Sequence, residues 1–247
     1  MRARSLPIRS VFLCSLWLAA PVLPARCEGA GKALKIAGSV GLVAGVAAFD
    51  GRIHRNMPFF RSGRTGRAVG AEDIGRRGTF FEVLCRPEGA LGTAGAFYLG
   101  GWAGDSERAR KTGVMAAEAW AVNGVLVTGL KALIGRKRPD AENDPGQFRP
   151  ASRWNSFPSG HASSAFAVAA VVSENYDSFW VSAAAYALAG LGGAGRVLQD
   201  EHWASDAVGG ALLGYGSAKM VLALEKRKGW SRGLYVTPGG IRIVRKF

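Results

Sequence analysis

The sequence predicts an all-α protein, a six-helix bundle closed by a short C-terminal β-hairpin. Three observations carry that expectation. Apolar segments of helical length recur six times along the 247 residues. Glycine occurs 35 times and alanine is abundant, which suits helices packed at close range more than a sheet of β-branched strands. Strand patterning is confined to the end of the chain. There Leu234-Tyr235-Val236 and Ile241-Arg242-Ile243-Val244 flank the turn residues Pro238-Gly239-Gly240.

The elements follow in order. Residues 1–10 carry Arg2, Arg4 and Arg9 and no acid, and an apolar run from Val11 to Leu23 follows, interrupted by Pro21. Ala25-Arg26-Cys27 then supplies a small-residue exit before Glu28, so residues 1–27 read as a secretory signal. An uncleaved anchor is the other reading, but the apolar run falls short of the roughly 20 residues that span a bilayer. Residues 28–224 form the helical domain. Its six segments are 33–49, 87–103, 112–134, 161–172, 179–197 and 204–224. Residues 225–247 form a basic tail holding the hairpin.

Composition narrows the function. With 48% apolar and 20% charged residues, disorder is excluded. Thirty-two basic against 18 acidic residues give a net charge of +14, so the chain seeks anions: phosphates, anionic lipid or nucleic acid. Export disfavours nucleic acid as a partner, and no recognition helix or aromatic platform is evident. Residues 51–87 hold eight arginines against Glu72, Asp73 and Glu82, and read as a solvated face or one lying on an anionic membrane surface. Three cysteines without CxxC spacing exclude a disulfide scaffold and a thiolate zinc site, and Cys85 reads as an inert thiol.

Three motifs stand at helix boundaries. Lys131 and Arg138-Pro139 lie where the third segment runs out. The lysine supplies a point charge, the arginine a fork for two phosphoryl oxygens, and the proline ends the helix. By itself such a pair is an ordinary partner for a helix C-terminal dipole. Pro158-Ser159-Gly160-His161 opens the fourth segment. Ser159 suits an N-cap, Gly160 permits close backbone approach, and the free N–H groups there attract phosphate. A plain capped helix with a surface histidine reads equally well from the tetrapeptide alone. Arg196, His202 and Asp206 form the third motif. With the sixth helix starting near His202, a carboxylate four residues on can hold one ring nitrogen protonated and leave the other as a nucleophile. An acid in the first turn of a helix is also commonplace.

In combination the runs KALIGRKRP, FPSGH and GRVLQDEHWASD resemble the type 2 phosphatidic acid phosphatase and vanadium haloperoxidase superfamily. The motifs cover residues 131–206. One position departs: Gly195 stands where the family usually has Ser. The resemblance implies that His202 attacks phosphorus, Asp206 orients its imidazole, and His161 protonates the leaving oxygen. It implies that Lys131, Arg138, Ser159, Gly160 and Arg196 hold the phosphate oxygens, with no cofactor and no metal. Asp140, Glu142 and Asp144 read as loop solubilisers, Asp200 and Glu201 as shapers of the rim, Trp154 and Trp203 as packing residues. The expected substrate is a lipid phosphate or lipid pyrophosphate, or another phosphomonoester.

The alternatives are a soluble periplasmic broad-range acid phosphatase, a vanadium-dependent haloperoxidase and a non-catalytic anion-binding protein. Mean hydropathy of +0.08 is low for six crossings, whereas the fifth and sixth segments are apolar nearly all round. The expectation is a membrane-associated protein of the bacterial envelope with a periplasm-facing site. Both catalytic loops, after the third and fifth helices, share a side whether or not the chain spans.

Overall fold

A computed structural model describes residues 30–56, 85–139, 144–228, 232–237 and 240–245. The signal segment and residues 57–84 of the arginine-rich stretch lie outside the described residues. The helices are α1 (Ala30–Ala47), α2 (Asp50–Arg55), α3 (Pro87–Ala103), α4 (Glu107–Ile134), α5 (Gly160–Tyr176), α6 (Phe179–Leu198) and α7 (Ala204–Lys228). Six of them are the six predicted segments. The seventh, the short α2, falls at the start of the stretch read as a solvated face. Asp50 there is 1% exposed, because its carboxylate serves a buried arginine described below. The tail begins inside α7, which continues to Lys228, and the hairpin forms as β1 (Arg232–Thr237) paired antiparallel with β2 (Gly240–Arg245).

Helix α5 is the axis of the bundle. Its sequence, GHASSAFAVAAVVSENY, is mostly small, and every residue from Ala162 to Val172 is buried. A helix buried all round must be apolar or small all round, which is why no amphipathic stripe shows. It packs on α3, α4, α6 and α7. The tightest approach is to α7. A Cβ on Gly214 would lie 2.0 Å from the Ser163 carbonyl oxygen, and one on Gly210 would lie 2.5 Å from that of Ser159. Backbone therefore meets backbone where α5 and α7 begin, and this fixes the second motif against the third. Alanines and valines of α4, α5 and α7 (Ala116, Ala119, Ala170, Val171, Ala218, Val221) fill the core beside this seam.

The outer surface is apolar too. Val125 and Leu133 of α4, Phe179 and Trp180 of α6, and Ile36 and Val40 of α1 are all more than 60% exposed. Such surface suits hydrocarbon rather than water. Four helical stretches, 35–55, 107–134, 179–198 and 204–226, are long and apolar enough to cross a bilayer. The chain is a membrane protein.

Gly214→Ala tests the seam. A methyl group facing a carbonyl oxygen at 2.0 Å forces α7 away from α5. The expected cost is on the order of 1–3 kcal/mol, seen as a lower unfolding midpoint in detergent. Gly216→Ala, where an added Cβ meets nothing within 4 Å, leaves the midpoint unchanged or raises it.

Candidate active site

The C-terminal ends of α4 and α6 and the N-terminal ends of α5 and α7 meet at one end of the bundle, bringing the three motifs together. Helix α4 stops at Gly135, whose φ of 57° is left-handed. A Cβ there would collide with the Arg149 carbonyl oxygen at 1.9 Å. The chain then leaves α4 extended, and Arg136 bridges to Phe148. Backbone bonds sew the motifs to one another. Ser156 N donates to Arg136 O at 2.9 Å, and Ser159 N donates to Asp206 O at 3.0 Å. The Trp203 indole N–H donates to Lys137 O at 2.9 Å.

Beneath the motifs lies a buried ionic cluster that sequence reasoning missed. Arg136, 3% exposed, donates through Nη1 to Asp206 Oδ1 at 2.7 Å and Ser205 Oγ at 2.6 Å. Its Nη2 reaches Asp50 Oδ2 at 2.9 Å, and its Nε reaches Pro145 O at 3.1 Å. Ser205 donates to Asp50 through both its backbone N–H (3.0 Å) and its hydroxyl (2.5 Å). The guanidinium also lies 5.5 Å from the Trp203 ring centroid, so Trp203 packs as expected but against a charge. Only an arginine offers this many donors in one plane. In the sequence Arg136 stood as filler between Lys131 and Arg138; its nearness to Pro139 gave no hint of two distant acids.

His202 is 2% exposed and precedes α7, which begins at Ala204 rather than at the histidine. Its Nδ1 stands 3.7 Å from Asp206 Oδ2. That is outside hydrogen-bond range. At this distance Asp206 faces the ring nitrogen as an ion-pair partner. The reason is competition: Asp206 Oδ2 already accepts from Ser156 Oγ at 2.5 Å and Trp203 N at 3.0 Å, and Oδ1 accepts from Arg136. The bond from Trp203 N is the carboxylate half of a capping box, so the ordinary helix-start role of this acid holds as well. Burial pushes the His202 pKa below the usual histidine value; Asp206 pulls it back up, and the Arg138 and Lys131 charges push it down again.

The cradle residues gather around this imidazole. Lys131 sits in the last turn of α4 and interacts electrostatically with Arg138, Arg196 and Asp206. Arg138 and Arg196 arrive from separate loops and meet on one oxygen, Oε2 of Glu201. Arg138 Nη1 contacts it, and Arg196 Nη2 lies 3.3 Å away. Glu201 thus sits inside the cationic cradle and not merely on its rim, because the turn after α6 points its carboxylate at both guanidinia. Ser159 occupies the N-cap position of α5 but makes no capping bond. Its hydroxyl is fully buried with no hydrogen-bond partner among the described residues. A Cβ on Gly160 would meet only Val127 Cγ1 at 3.9 Å, so protein packing alone does not demand glycine there. His161 is half-buried in the first turn of α5. At Gly195 an added Cβ meets nothing within 4 Å, so the departure from the family pattern leaves neighbouring contacts intact.

The third histidine, set aside in the sequence, belongs here too. His54 of α2 places Nδ1 3.3 Å from Asp200 Oδ1, with its ring edge-on to Trp203 at 5.3 Å. His54, Asp200, His202 and Trp203 line a cavity of about 10 Å³, room for about one water. Asp200, expected at the rim, adopts a left-handed φ of 56° to make this pairing. Trp154 lies under Lys137, 5.2 Å from its Nζ. Asp144 is exposed and caps Gly146 N at 2.9 Å, while Asp140 and Glu142 lie outside the described residues. Burial raises the Cys85 thiol to a pKa of about 11, so it is inert as expected. Among the described residues no three His, Cys, Asp or Glu side chains group as metal ligands would.

Arg136→Met leaves two buried carboxylates uncompensated. The expected loss is about 3–5 kcal/mol, read as a lower unfolding midpoint in detergent. Adding Asp50→Asn recovers part of it. Arg136→Lys recovers less than full stability, because one ammonium cannot reach both acids in plane.

A family model described as the PAP2 superfamily matches residues 112–230. The chain is similar to a lipid A 1-phosphatase of Porphyromonas gingivalis, 36% identical over 116 residues, which make up 46% of this chain and 24% of that protein. It is also similar to a lipid A 1-phosphatase of Rhizobium johnstonii, 34% identical over 100 residues, 37% of this chain and 39% of the relative. The aligned stretch thus spans well under half of either relative. Among solved structures, a transmembrane PAP2-type phosphatidylglycerolphosphate phosphatase from Bacillus subtilis superposes with a TM-score of 0.54 at 20% identity, covering 89% of this chain and 96% of that one. That likeness extends to the fold. The matched stretch contains all three motifs and both of their histidines, so the likeness to the PAP2 superfamily covers the whole candidate site.

Proposed function

We propose that the chain is a metal-independent lipid phosphatase working through a phosphohistidine on His202. The observation that carries this reading is the convergence of Arg138 and Arg196 on a single anionic oxygen beside a buried histidine. With Nδ1 turned towards Asp206, the Nε2 lone pair is the one left to attack phosphorus in line. The P–O bond to the alcohol breaks as the N–P bond forms, and His161 gives its proton to the departing oxygen. A water then attacks the phosphohistidine, passing its proton to His161 and releasing inorganic phosphate. Lys131, Arg138, Arg196, the Ser159 hydroxyl and the Gly160 N–H hold the non-bridging oxygens, where charge accumulates in the transition state.

Burial contributes to this chemistry. A charged imidazole is disfavoured at a site 2% exposed, so His202 stays neutral and nucleophilic to lower pH than a solvated histidine. Asp206 tempers that effect and stabilises the imidazolium-like charge that develops on attack. The substrate class follows from three supports: the lipid A 1-phosphatase names of the two relatives, the apolar outer surface, and the placement of the cradle at the helix ends. A lipid phosphate or lipid pyrophosphate presents a polar head at that level while its chains stay in hydrocarbon. The four long apolar helices weigh against a soluble acid phosphatase. A site facing the periplasm remains part of the proposal.

Phosphate release by the purified protein in detergent with EDTA tests this reading. Lipid phosphates are expected to turn over faster than a small aryl phosphate. His202→Ala should lose activity by on the order of 10⁴–10⁶-fold, as loss of a nucleophile does. His161→Ala should lose about 10²–10⁴-fold. Full activity in the His202 variant overturns the mechanism, and inhibition by EDTA overturns metal independence. The pH profile gives an independent check. Because the His202 pKa is lowered, the acid limb of kcat/KM falls below the ordinary histidine value of about 6.5. A limb above that value contradicts the assignment.

A further inference from the structure

We propose that Glu201 is an internal anion that occupies the phosphate seat of the free enzyme and sets the affinity an incoming anion must bring. This rests on the reading of the cradle as a phosphate site. Glu201 Oε2 is the oxygen on which Arg138 and Arg196 converge. It gets there because the chain doubles back after α6. Glu201 N donates to Arg196 O at 3.1 Å and His202 N to the same oxygen at 3.3 Å, with Asp200 turning the corner at φ 56°.

The two sides of this contact are held unequally. Arg196 is anchored separately by Gln199 Oε1 at 2.7 Å, and Arg138 by Asn155 Oδ1 at 3.1 Å. The Glu201 side chain, 37% exposed, has no side-chain partner among the described residues other than these two arginines. So the arginines stay in place without the glutamate, whereas the glutamate stays only because of the arginines. Asp50 and Asp206 are the contrast: both are fully buried and take donors from several residues, as scaffold carboxylates do. Glu201 has the attachment of a ligand.

Displacing it costs every entering anion the same free energy, so all affinities fall by a common factor. The consequence differs by ligand. A terminal phosphate monoester carries close to two charges and presents three oxygens to Lys131, Arg138 and Arg196. A phosphodiester headgroup carries one charge and surrounds a membrane enzyme in large excess. A common penalty leaves the dianion bound and keeps the diester off.

The experiment uses the full chain and Glu201→Gln, which keeps shape and removes charge. Inorganic phosphate binding is read by calorimetry, and lipid monophosphate turnover is measured in neutral-lipid vesicles with increasing phosphatidylglycerol. The variant is expected to bind phosphate about 3- to 10-fold more tightly, the range for partly exposed ion pairs, with the gain in turnover appearing in KM. It is also expected to be inhibited by phosphatidylglycerol at fractions that leave the parent unaffected. A phosphate Kd that is unchanged or weaker, or a variant as indifferent to phosphatidylglycerol as the parent, overturns the proposal. Phosphate binding needs no turnover, so failure of the lipid phosphatase reading registers separately, as absent hydrolysis in the parent.

Discussion

Arg136 carries one positive charge between two carboxylates, Asp206 at 2.7 Å and Asp50 at 2.9 Å, where all three side chains are almost fully buried. Three ions cannot be placed there cheaply, since each loses its hydration. The arrangement is tolerable because the five guanidinium N–H groups and the four carboxylate oxygens are all used, by Ser156, Ser205, Trp203 N and Pro145 O as well as by each other. A half-satisfied version would be worse than an apolar core. The cluster therefore forces four pieces of chain into one relative position: α2, the exit of α4, the loop before α5 and the start of α7. The catalytic geometry is a by-product of that demand. Asp206 cannot serve Arg136 unless the first turn of α7 lies against the exit of α4, and His202 stands four residues before it.

The same cluster explains why the His202 imidazole, the proposed nucleophile, is flanked and not gripped. Two acids against one arginine leave one negative charge in excess at the floor of the site, 3.7 Å from the imidazole. Above it stand Lys131, Arg138 and Arg196. His202 thus lies between a negative floor and a positive cradle. A field running along that direction favours the change the proposed reaction requires, in which the imidazole would become more positive on its floor side while negative charge collects on the phosphoryl oxygens above. Fixed charges supply this without reorganising at the moment of reaction.

Much of the fold was legible because the long helices announce themselves through length and composition, and small residues announced close packing. The cradle was legible for a local reason: Lys131, Ser159, Gly160, Arg196 and Asp206 each stand at a helix end, where unsatisfied backbone groups and dipoles give residue types a meaning. What escaped was non-local. Asp50 is 86 residues from Arg136 and 155 from Ser205, and its neighbourhood in sequence is a run of arginines that points to solvent. His54 was hidden by the same run. Glu201 was visible but misplaced, since only the backward turn at Asp200 shows which way its carboxylate faces. The Asp206–His202 spacing was read correctly as proximity. The spacing carried no information about the three donors that also claim that carboxylate.

The bundle architecture links the site to the membrane. Helix α5 has 17 residues, about 25 Å at 1.5 Å per residue, and packs against α3, of equal length, and against the longer α4, α6 and α7. Helix α4, with 28 residues, runs beyond the opposite end of α5. At the site end Ser159, at the N-terminus of α5, is fully buried against the first turn of α7, its N–H donating to Asp206 O at 3.0 Å. In the proposed reading, a phosphate at the start of α5 meets the cations in the last turns of α4 and α6, Lys131 and Arg196. An apolar chain attached to that phosphate would then have the exposed apolar flanks of α4 and α6 beside it, where Val125, Leu133 and Leu191 face outward. Cradle and flank together support the proposed preference for molecules that join one terminal phosphate to a long hydrocarbon, and the backbone N–H groups of the cradle are ones that no side-chain substitution removes.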